Sequence, residues 1–208
     1  MSAVPASRVE IHRPLPPEEA ARANFYALLA RLLRSGADDA LLRSLAETVP
    51  IDGDAELSKA WTELGLASSA MDAEAAGYEY DTLFVGVGKA PVSIYAGNYV
   101  GAYAIDHPRV RLQSHFAAFG LERAGTLGEP EDHFATLLDV MRILVAGGAG
   151  RAPAAIAEQK AFYDEYLGGG APKFFKAVIA SEHANYYRKV AALGIAFFAI
   201  ESESFELD

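Results

Sequence analysis

Apolar residues recur at helical spacing along almost the whole chain, and this pattern predicts an all-α fold. From residue 18 onward they return every three or four positions. No stretch alternates strictly between apolar and polar residues, as a half-buried strand would. With 51% hydrophobic and 22% charged residues, the 208-residue chain can bury a core of its own. We therefore expect one compact helical bundle, with residues 1–17 as an N-terminal extension.

The first helix is predicted to follow the Pro16-Pro17 pair and to end near Gly36, because proline suits a first helical position and glycine an end. Asp38 or Asp39 can cap a second helix, which Pro50 would stop. The apolar stripe of the first helix consists of Phe25, Leu28, Leu29, Leu32 and Leu33. The inward residues of the second are expected to be Leu41, Leu42, Leu45 and Val49.

Two further helices lead to a glycine-containing loop. A third helix is predicted after Asp54 and a fourth over residues 71–85, where helical spacing gives way to the sequence GVGKAP of residues 86–91. Their stripes hold Leu57, Trp61 and Leu64 in one helix and Ala76, Tyr80, Leu83 and Phe84 in the other. Helical spacing resumes over Tyr95, Tyr99 and Tyr103, and again over residues 110–121.

Glycine and proline residues interrupt the helical spacing in the second half of the chain. Gly125 and Gly128 fall in residues 122–130, which we predict to be a hinge, and Pro130 suits the first position of a long helix. The apolar face of that helix would consist of Phe134, Leu137, Leu138, Met141 and Leu144. A flexible loop is expected over residues 146–153, and a glycine run at 168–170 comes before two closing helices. Their inward residues are Phe174, Phe175, Val178 and Ile179, then Tyr187, Val190, Ala191, Gly194, Phe197 and Phe198.

The composition argues against several classes of partner. The formal charge is −10 and the basic residues are scattered, so nucleic acid is not an expected partner. Without cysteine there are no disulfides and no thiolate metal sites. The longest apolar stretch, residues 190–200, is too short to span a bilayer, and the N-terminal sequence lacks the apolar region of a secretory signal. We therefore expect a cytoplasmic protein that does not insert stably into membranes.

Motifs for catalysis and for cofactor binding are incomplete. The loop Gly86-Val87-Gly88-Lys89 resembles a phosphate-binding loop, but Leu83 stands where that motif needs glycine and Ala90 where it needs a hydroxyl. The histidines show no zinc-binding spacing, and no serine lies in a G-x-S-x-G sequence. We predict no catalytic residue, no cofactor and no metal.

Two features admit both a structural and a binding role. Asp132 and Glu131 can favour the start of a helix, while His133 beside Asp132 can either anchor the hinge or contact a ligand. An aromatic-rich segment can form a groove for an apolar peptide or an interface within the core. Its rings are Tyr78, Tyr80, Phe84, Tyr95, Tyr99 and Tyr103.

Two segments together resemble a known family. YEYDTLFVGVGKAPVSIY, residues 78–95, is similar to a pattern in which an aromatic-rich helix runs into Leu-Phe-x-Gly, a proline-containing loop and Ser-x-Tyr. EPEDHFATLLDVMRIL, residues 129–144, is similar to an E-P-x-D-H motif followed by an apolar helix. In this order they resemble the TorD/DmsD group of the NarJ-like redox-enzyme maturation chaperones. The resemblance extends over about residues 18–205.

The resemblance implies a helical, cytoplasmic chaperone with nine to eleven helices in two lobes, about 18–124 and 130–208. Its partner would be the twin-arginine signal peptide or the apo-form of a molybdopterin oxidoreductase, held back from export until the cofactor is inserted. Such a peptide presents two arginines and an apolar stretch, which carboxylates beside an apolar groove can receive. A monomer is expected, with a domain-swapped dimer as the alternative.

The residues that the resemblance assigns to peptide binding lie in the two motif segments. They are Tyr80, Leu83, Phe84, Gly86, Pro91, Ser93, Tyr95, Glu129, Pro130, Asp132 and His133. Asp132 would either contact the arginines or fix His133. Two other functions stay open: a small helical enzyme that uses Asp132 and His133 as an acid–base pair, and a permanent helical subunit of an oxidoreductase complex.

Overall fold

The computed structural model describes residues 14–100, 112, 130–148 and 151–207. The prediction of an all-α fold is confirmed: this part of the chain contains eight α-helices and no β-strand, only isolated bridges. The helices are α1 (Pro17–Arg34), α2 (Asp39–Ala46), α3 (Ala55–Ser69), α4 (Ala73–Tyr80), α5 (Phe134–Ala146), α6 (Ile156–Phe162), α7 (Ala171–Ala180) and α8 (Tyr186–Leu207). The predicted helix over 110–121, apart from residue 112, lies outside the described residues, and so do residues 122–129 of the hinge predicted over 122–130.

Two helices continue into wider turns. α4 runs on through a π-helical turn, Asp81–Val85, and α6 through a second one, Tyr163–Leu167. A single 3₁₀ turn, Ala96–Asn98, lies between the loop after α4 and the end of this first described stretch. The turn at Asp81–Val85 coincides with the Leu-Phe sequence of the first motif.

Aspartate side chains start three of the helices. Asp38 accepts the Leu41 amide at 2.7 Å, and Asp54 accepts the Leu57 amide at 2.9 Å. Asp72 does the same for α4, with the Ala75 amide at 2.8 Å. Each bond satisfies an amide that the first helical turn leaves without a backbone acceptor. The cap predicted for α2 is thereby confirmed at Asp38, and α3 begins after Asp54 as predicted.

The predicted apolar stripes meet in one continuous core within the described residues. α1 packs along α5, α8 packs against α3 and α7, and α2 packs on α3. Every apolar residue predicted for the inner face of α5 is buried, and so is the whole set predicted for α8. Regular helical spacing therefore located the core correctly in the long helices.

Val49 is a first correction, since it is 74% exposed and does not face inward. α2 ends at Ala46, before Pro50 is reached, and the Thr48 hydroxyl donates to the Leu45 carbonyl at 2.8 Å. The chain has therefore left the helical path before Val49. The Trp61 indole then binds the Val49 carbonyl at 3.0 Å, which fixes the turned-out backbone.

Two further corrections concern the motif segments. Tyr95 and Tyr99 do not lie on a helix, because only the short 3₁₀ turn Ala96–Asn98 separates them, and Tyr103 lies outside the described residues. Pro130 does not begin α5, which starts at Phe134. The acidic residues after Pro130 therefore precede the helix and are not part of its first turn.

A buried ion pair joins α1 to α8. Arg22 donates to both carboxylate oxygens of Glu201, at 2.7 and 2.9 Å, and the Tyr26 hydroxyl donates to the same carboxylate at 2.6 Å. Burial alone lowers the pKa of Arg22, but the hydrogen bonds and charges of Glu201 and Glu19 outweigh it and raise that pKa. Burial, together with Glu201, raises the pKa of Tyr26 well above its usual value.

None of the described helices is both long and apolar enough to cross a lipid bilayer. The described side chains also form no cluster of three or more histidine, aspartate or glutamate groups able to hold a metal ion.

Candidate functional site

The two motif segments, far apart in sequence, are hydrogen-bonded to each other. The Ala96 amide donates to the Asp132 carbonyl at 2.8 Å, and the Phe134 amide donates to the Ile94 carbonyl at 3.1 Å. These bonds form an antiparallel bridge between Tyr95 and His133. The Ser-x-Tyr sequence of the first motif therefore lies directly against the Asp-His sequence of the second.

Ser93 organises the turn that carries the first segment. Its hydroxyl oxygen accepts the Asn98 side-chain amide at 2.7 Å, and its carbonyl accepts the Tyr99 hydroxyl at 2.8 Å. The Val92 amide donates to the Leu83 carbonyl at 3.1 Å, which ties this segment to the π-helical turn after α4. Ser93 itself is half-buried, and its role in this geometry is to shape the turn.

Asp132 and His133 are both buried, with 7% and 5% of their surface exposed. His133 is the N-cap of α5, and its Nδ1 accepts the Ala135 amide at 3.2 Å. An Nδ1 that accepts carries no proton, so a neutral His133 in this arrangement carries its proton on Nε2. The Tyr95 ring meets the imidazole edge-on, with 5.6 Å between ring centroids.

The turn over residues 96–98 approaches the Asp132 carboxylate closely at Gly97. A Cβ on Gly97 would come within 3.3 Å of Asp132 Oδ2, a tighter contact than most side chains make. Glu131, the residue before Asp132, is also buried. Two consecutive buried acidic residues therefore precede the capped start of α5, and the carboxylate of Asp132 lies against the turn.

Three predicted site residues, Tyr80, Leu83 and Phe84, are part of the core. The Tyr80 hydroxyl donates to the carbonyls of Leu33 and Arg34 at the end of α1, at 3.2 and 3.0 Å. The Phe84 ring packs against Tyr187 of α8, with centroids 5.3 Å apart, and also against Phe174 of α7. These side chains attach α4 to the bundle.

The remaining predicted residues differ in their access to solvent. Gly86 has a φ of +62°, a conformation that glycine adopts readily, and it closes the π-helical turn through its bond to the Asp81 carbonyl at 2.7 Å. Pro91 is exposed, whereas Tyr95 and Pro130 are half-buried. Glu129 lies outside the described residues. Gly86 is half-buried as well, so the predicted residues with access to solvent are Gly86, Pro91, Ser93, Tyr95 and Pro130.

Glu79 is a buried charge that sequence reasoning missed. Its carboxylate accepts the backbone amides of Asn185, Tyr186 and Tyr187 at 2.8, 3.0 and 2.8 Å. These amides lie at the start of α8, so a residue of α4 caps α8 from more than 100 positions away. The available clue was its position three residues after Ala76 and four before Leu83, on the buried face.

The structure also exposes apolar residues around the first motif that the predicted binding set does not include, although Tyr78 was among the rings considered for a groove. Tyr78 is 76% exposed, Val85 is 58% exposed and Val87 protrudes fully into solvent. Tyr78 and Val85 are seven residues apart, about two helical turns, and Val87 follows in the loop. Apolar side chains concentrated in this way are typical of contact surfaces.

Comparison with known families gives one match. A family model described as nitrate reductase delta subunit matches residues 52–176, about three fifths of the chain, and this range includes both motif segments. A search of curated proteins finds no match.

Proposed function

The chain belongs to the nitrate reductase delta subunit family, whose members are chaperones of molybdoenzyme maturation and not catalysts. We propose that this chain binds the twin-arginine signal peptide of an enzyme that it helps to mature, its client. The client would be the apo-form of a molybdopterin oxidoreductase. Binding of the peptide would keep this enzyme from export until its cofactor is inserted. The chaperone would act in the cytoplasm and without a cofactor of its own.

The contact between the two motif segments is the single observation that carries this proposal. In support, Pro91, Ser93 and Tyr95 offer apolar and hydroxyl surface. The bridge pairs Tyr95 with the residue that follows the buried acidic pair Glu131 and Asp132. An arginine-containing apolar peptide needs both kinds of group, because guanidinium pairs best with carboxylates while apolar side chains need a dry surface.

Burial gives the acidic pair a specific part in this proposal. Asp132 lies below the turn of residues 96–98, so an incoming arginine reaches it only at the edge of the turn or after the turn moves. We propose that Asp132 receives one of the two arginines and that His133 holds the start of α5 in place. Glu129, Pro130 and the hinge over 122–130 would border the same site.

The other functions considered from the sequence fare differently. The enzyme with an Asp132/His133 acid–base pair is set aside, because the members of this family are not catalysts. A permanent subunit would need its partner to remain soluble. A purified chain that sediments as a stable monomer would therefore favour the chaperone. For the chaperone itself we propose a monomer, and the alternative form is a dimer whose two copies exchange lobes at the hinge.

Titration with synthetic twin-arginine signal peptides tests the proposal. We expect at least one peptide from the host to bind with a Kd of about 1 μM, the order expected for a short peptide in one groove. The matched control is the same peptide with both arginines replaced by lysine, which cannot form the bidentate pair and should bind more weakly. If no twin-arginine peptide of the host binds, peptide recognition is excluded.

Two conservative variants separate binding from folding. Asp132→Asn keeps the size of the side chain and removes the charge, so it should weaken peptide binding about tenfold while the protein stays folded. His133→Asn keeps an N-cap acceptor and should bind almost as the unchanged protein does. An Asp132→Asn protein that binds the peptide normally would contradict the role given to this carboxylate.

A further inference from the structure

A surface on α4 and the following loop combines exposed apolar and acidic side chains. It consists of Tyr78, Val85 and Val87 together with Glu74 and Asp81, and we name it the α4 surface. Glu74 precedes Tyr78 by four residues and Asp81 follows it by three, so the two carboxylates flank the ring along the same side of the helix. All five side chains are exposed.

The exposures show that this surface is convex. A side chain that lines a groove is covered on its flanks by the opposite wall, yet Tyr78 is 76% exposed and Val87 reaches 108% of the reference value. Both therefore project from the protein. Projecting apolar side chains bind by entering a depression on the partner, as interface anchors do, and a partner with a depression is a folded protein.

The charges define the chemistry of that depression. Neither Glu74 nor Asp81 has an ion-pair partner among the described residues, and the whole chain carries a formal charge of −10. A second copy of this acidic chain would repel the surface, whereas a depression with lysine or arginine at its rim would attract it. An apolar pocket with a basic rim is the complementary site.

We infer that the α4 surface docks onto the folded body of the client enzyme, at an apolar depression with a basic rim. This rests on the proposed function, because it assumes that the chain serves a molybdopterin oxidoreductase. It adds a second contact, on the outer side of the helix whose inner side holds Tyr80 and Phe84 in the core. The signal peptide and the enzyme body would then occupy different surfaces joined by the loop of residues 86–91.

The test uses client bodies without signal peptides. Each molybdopterin oxidoreductase of the host is produced without its signal peptide and without cofactor, and its binding to the purified chain is measured by biolayer interferometry. We expect one body to bind, and the variant Tyr78→Ser/Val85→Ser/Val87→Ser to bind it at least tenfold more weakly. The matched control is Val49→Ser/Leu66→Ser, which removes two equally exposed apolar side chains elsewhere and should leave binding unchanged.

The possible outcomes separate this inference from the proposed function. Circular dichroism first verifies that both variants are folded. If the twin-arginine peptides bind while no signal-free body does, or if the triple variant binds the body normally, the inference is wrong and peptide recognition stands. If the triple variant loses the peptide as well, the α4 surface is part of the peptide site and the two-surface arrangement is wrong. A wild-type dimer that the triple variant abolishes, seen by sedimentation velocity, would identify a second copy as the occupant.

Discussion

Glu79 shows how one side chain fixes the position of the first motif. A helix start leaves several amides without acceptors, and α8 receives its acceptor from Glu79 of α4. Because a carboxylate bonded to three amides at a helix start also meets the positive end of the helix dipole, the arrangement stabilises the charge as well as the helix. α4 and α8 are thus connected at the level of backbone atoms.

Replacing Glu79 by glutamine should cost about 1–3 kcal/mol of stability, the usual range for hydrogen bonds to a charged group. Glutamine keeps the length of the side chain, but its amide nitrogen cannot accept a hydrogen bond. Urea unfolding followed by circular dichroism measures the difference. Glu74→Gln on the exposed side of the same helix is the control, and equal midpoints for the two variants would rule out the capping role.

The sequence could not assign Glu79 and Glu201 to the core, because charged residues are almost always exposed unless they are paired. Their partners come from distant segments: the start of α8 for Glu79 and Arg22 of α1 for Glu201. The helical spacing of both residues does place them on buried faces, but their charge argues against burial. Tertiary contacts that satisfy a charge are what make such a position possible, and local patterns do not contain them.

Two tyrosine hydroxyls cap the C-terminal end of α1. Tyr80 donates to the Leu33 and Arg34 carbonyls, and Tyr187 donates to the carbonyl of Leu32 at 3.0 Å. The last carbonyls of a helix lack intrahelical partners, so these hydroxyls serve as side-chain caps. The end of α1 is therefore held between α4 and α8. Gly36, two residues after the end of α1, lies against the backbone of α4.

A side chain at Gly36 should disrupt this junction. Its Cβ would lie 2.5 Å from the Cα of Gly77, and backbone atoms cannot move aside as a flexible side chain can. We expect Gly36→Ala to destabilise the protein by about 1–3 kcal/mol, as overpacking usually does. Thermal unfolding gives the difference.

Gly77→Ala is the matched control for that experiment, since nothing lies within 4 Å of the added Cβ. Alanine in a helix should stabilise by up to about 1 kcal/mol relative to glycine. The two alanine variants are thus expected to shift the melting temperature in opposite directions. If Gly36→Ala melts with or above the unchanged protein, α1 and α4 are not in close contact.

The longer helices could be predicted because their apolar faces are regular and their ends carry ordinary punctuation. The stretch after Pro91 could not. Tyr95 and Tyr99 stand four residues apart, as on a helix, but the backbone before Ala96 is extended and pairs with residues 132–134. The same pairing places the chain around Asp132 outside α5, so the helix begins at Phe134 and not at Pro130. Pairing between distant segments is invisible to local periodicity.

Several buried phenols make the stability of the whole molecule depend on pH. Burial raises the pKa of Tyr163 to about 12, and it also raises the pKa values of Tyr26 and Tyr187 well above the usual tyrosine value. The folded protein therefore keeps these protons to higher pH than the unfolded chain, whose tyrosines ionise near 10. Their stabilising contribution is complete below pH 10 and is lost as the pH rises through the folded values.

We expect the protein to lose stability steeply between about pH 10 and pH 12. Tyrosinate absorbance at alkaline pH should rise in two stages, first for exposed rings and then for the buried ones together with the loss of the helical circular dichroism signal. Complete ionisation of all tyrosines with the helices intact would contradict this account.

Sequence reasoning thus determined the fold class and pointed to both motif segments, since each motif is local. The sequence could not show which motif residues are accessible for binding, because access to solvent depends on tertiary packing. The structure places Tyr80, Leu83 and Phe84 in the core and exposes Tyr78, Val85 and Val87 on the other side of the same segment. Whether those exposed residues bind a client is what the proposed experiments decide.

Because α8 follows the rest of the bundle in the chain, the dependence of α1 and α4 on it bears on how the protein is made. A ribosome releases α1 and α4 first, and at that stage Arg22 has no Glu201 and Glu79 has no α8 amides to bind. Unpaired charges resist burial, so the early helices cannot reach their final packing during translation. The bundle should therefore complete its packing only after α8 has left the ribosome.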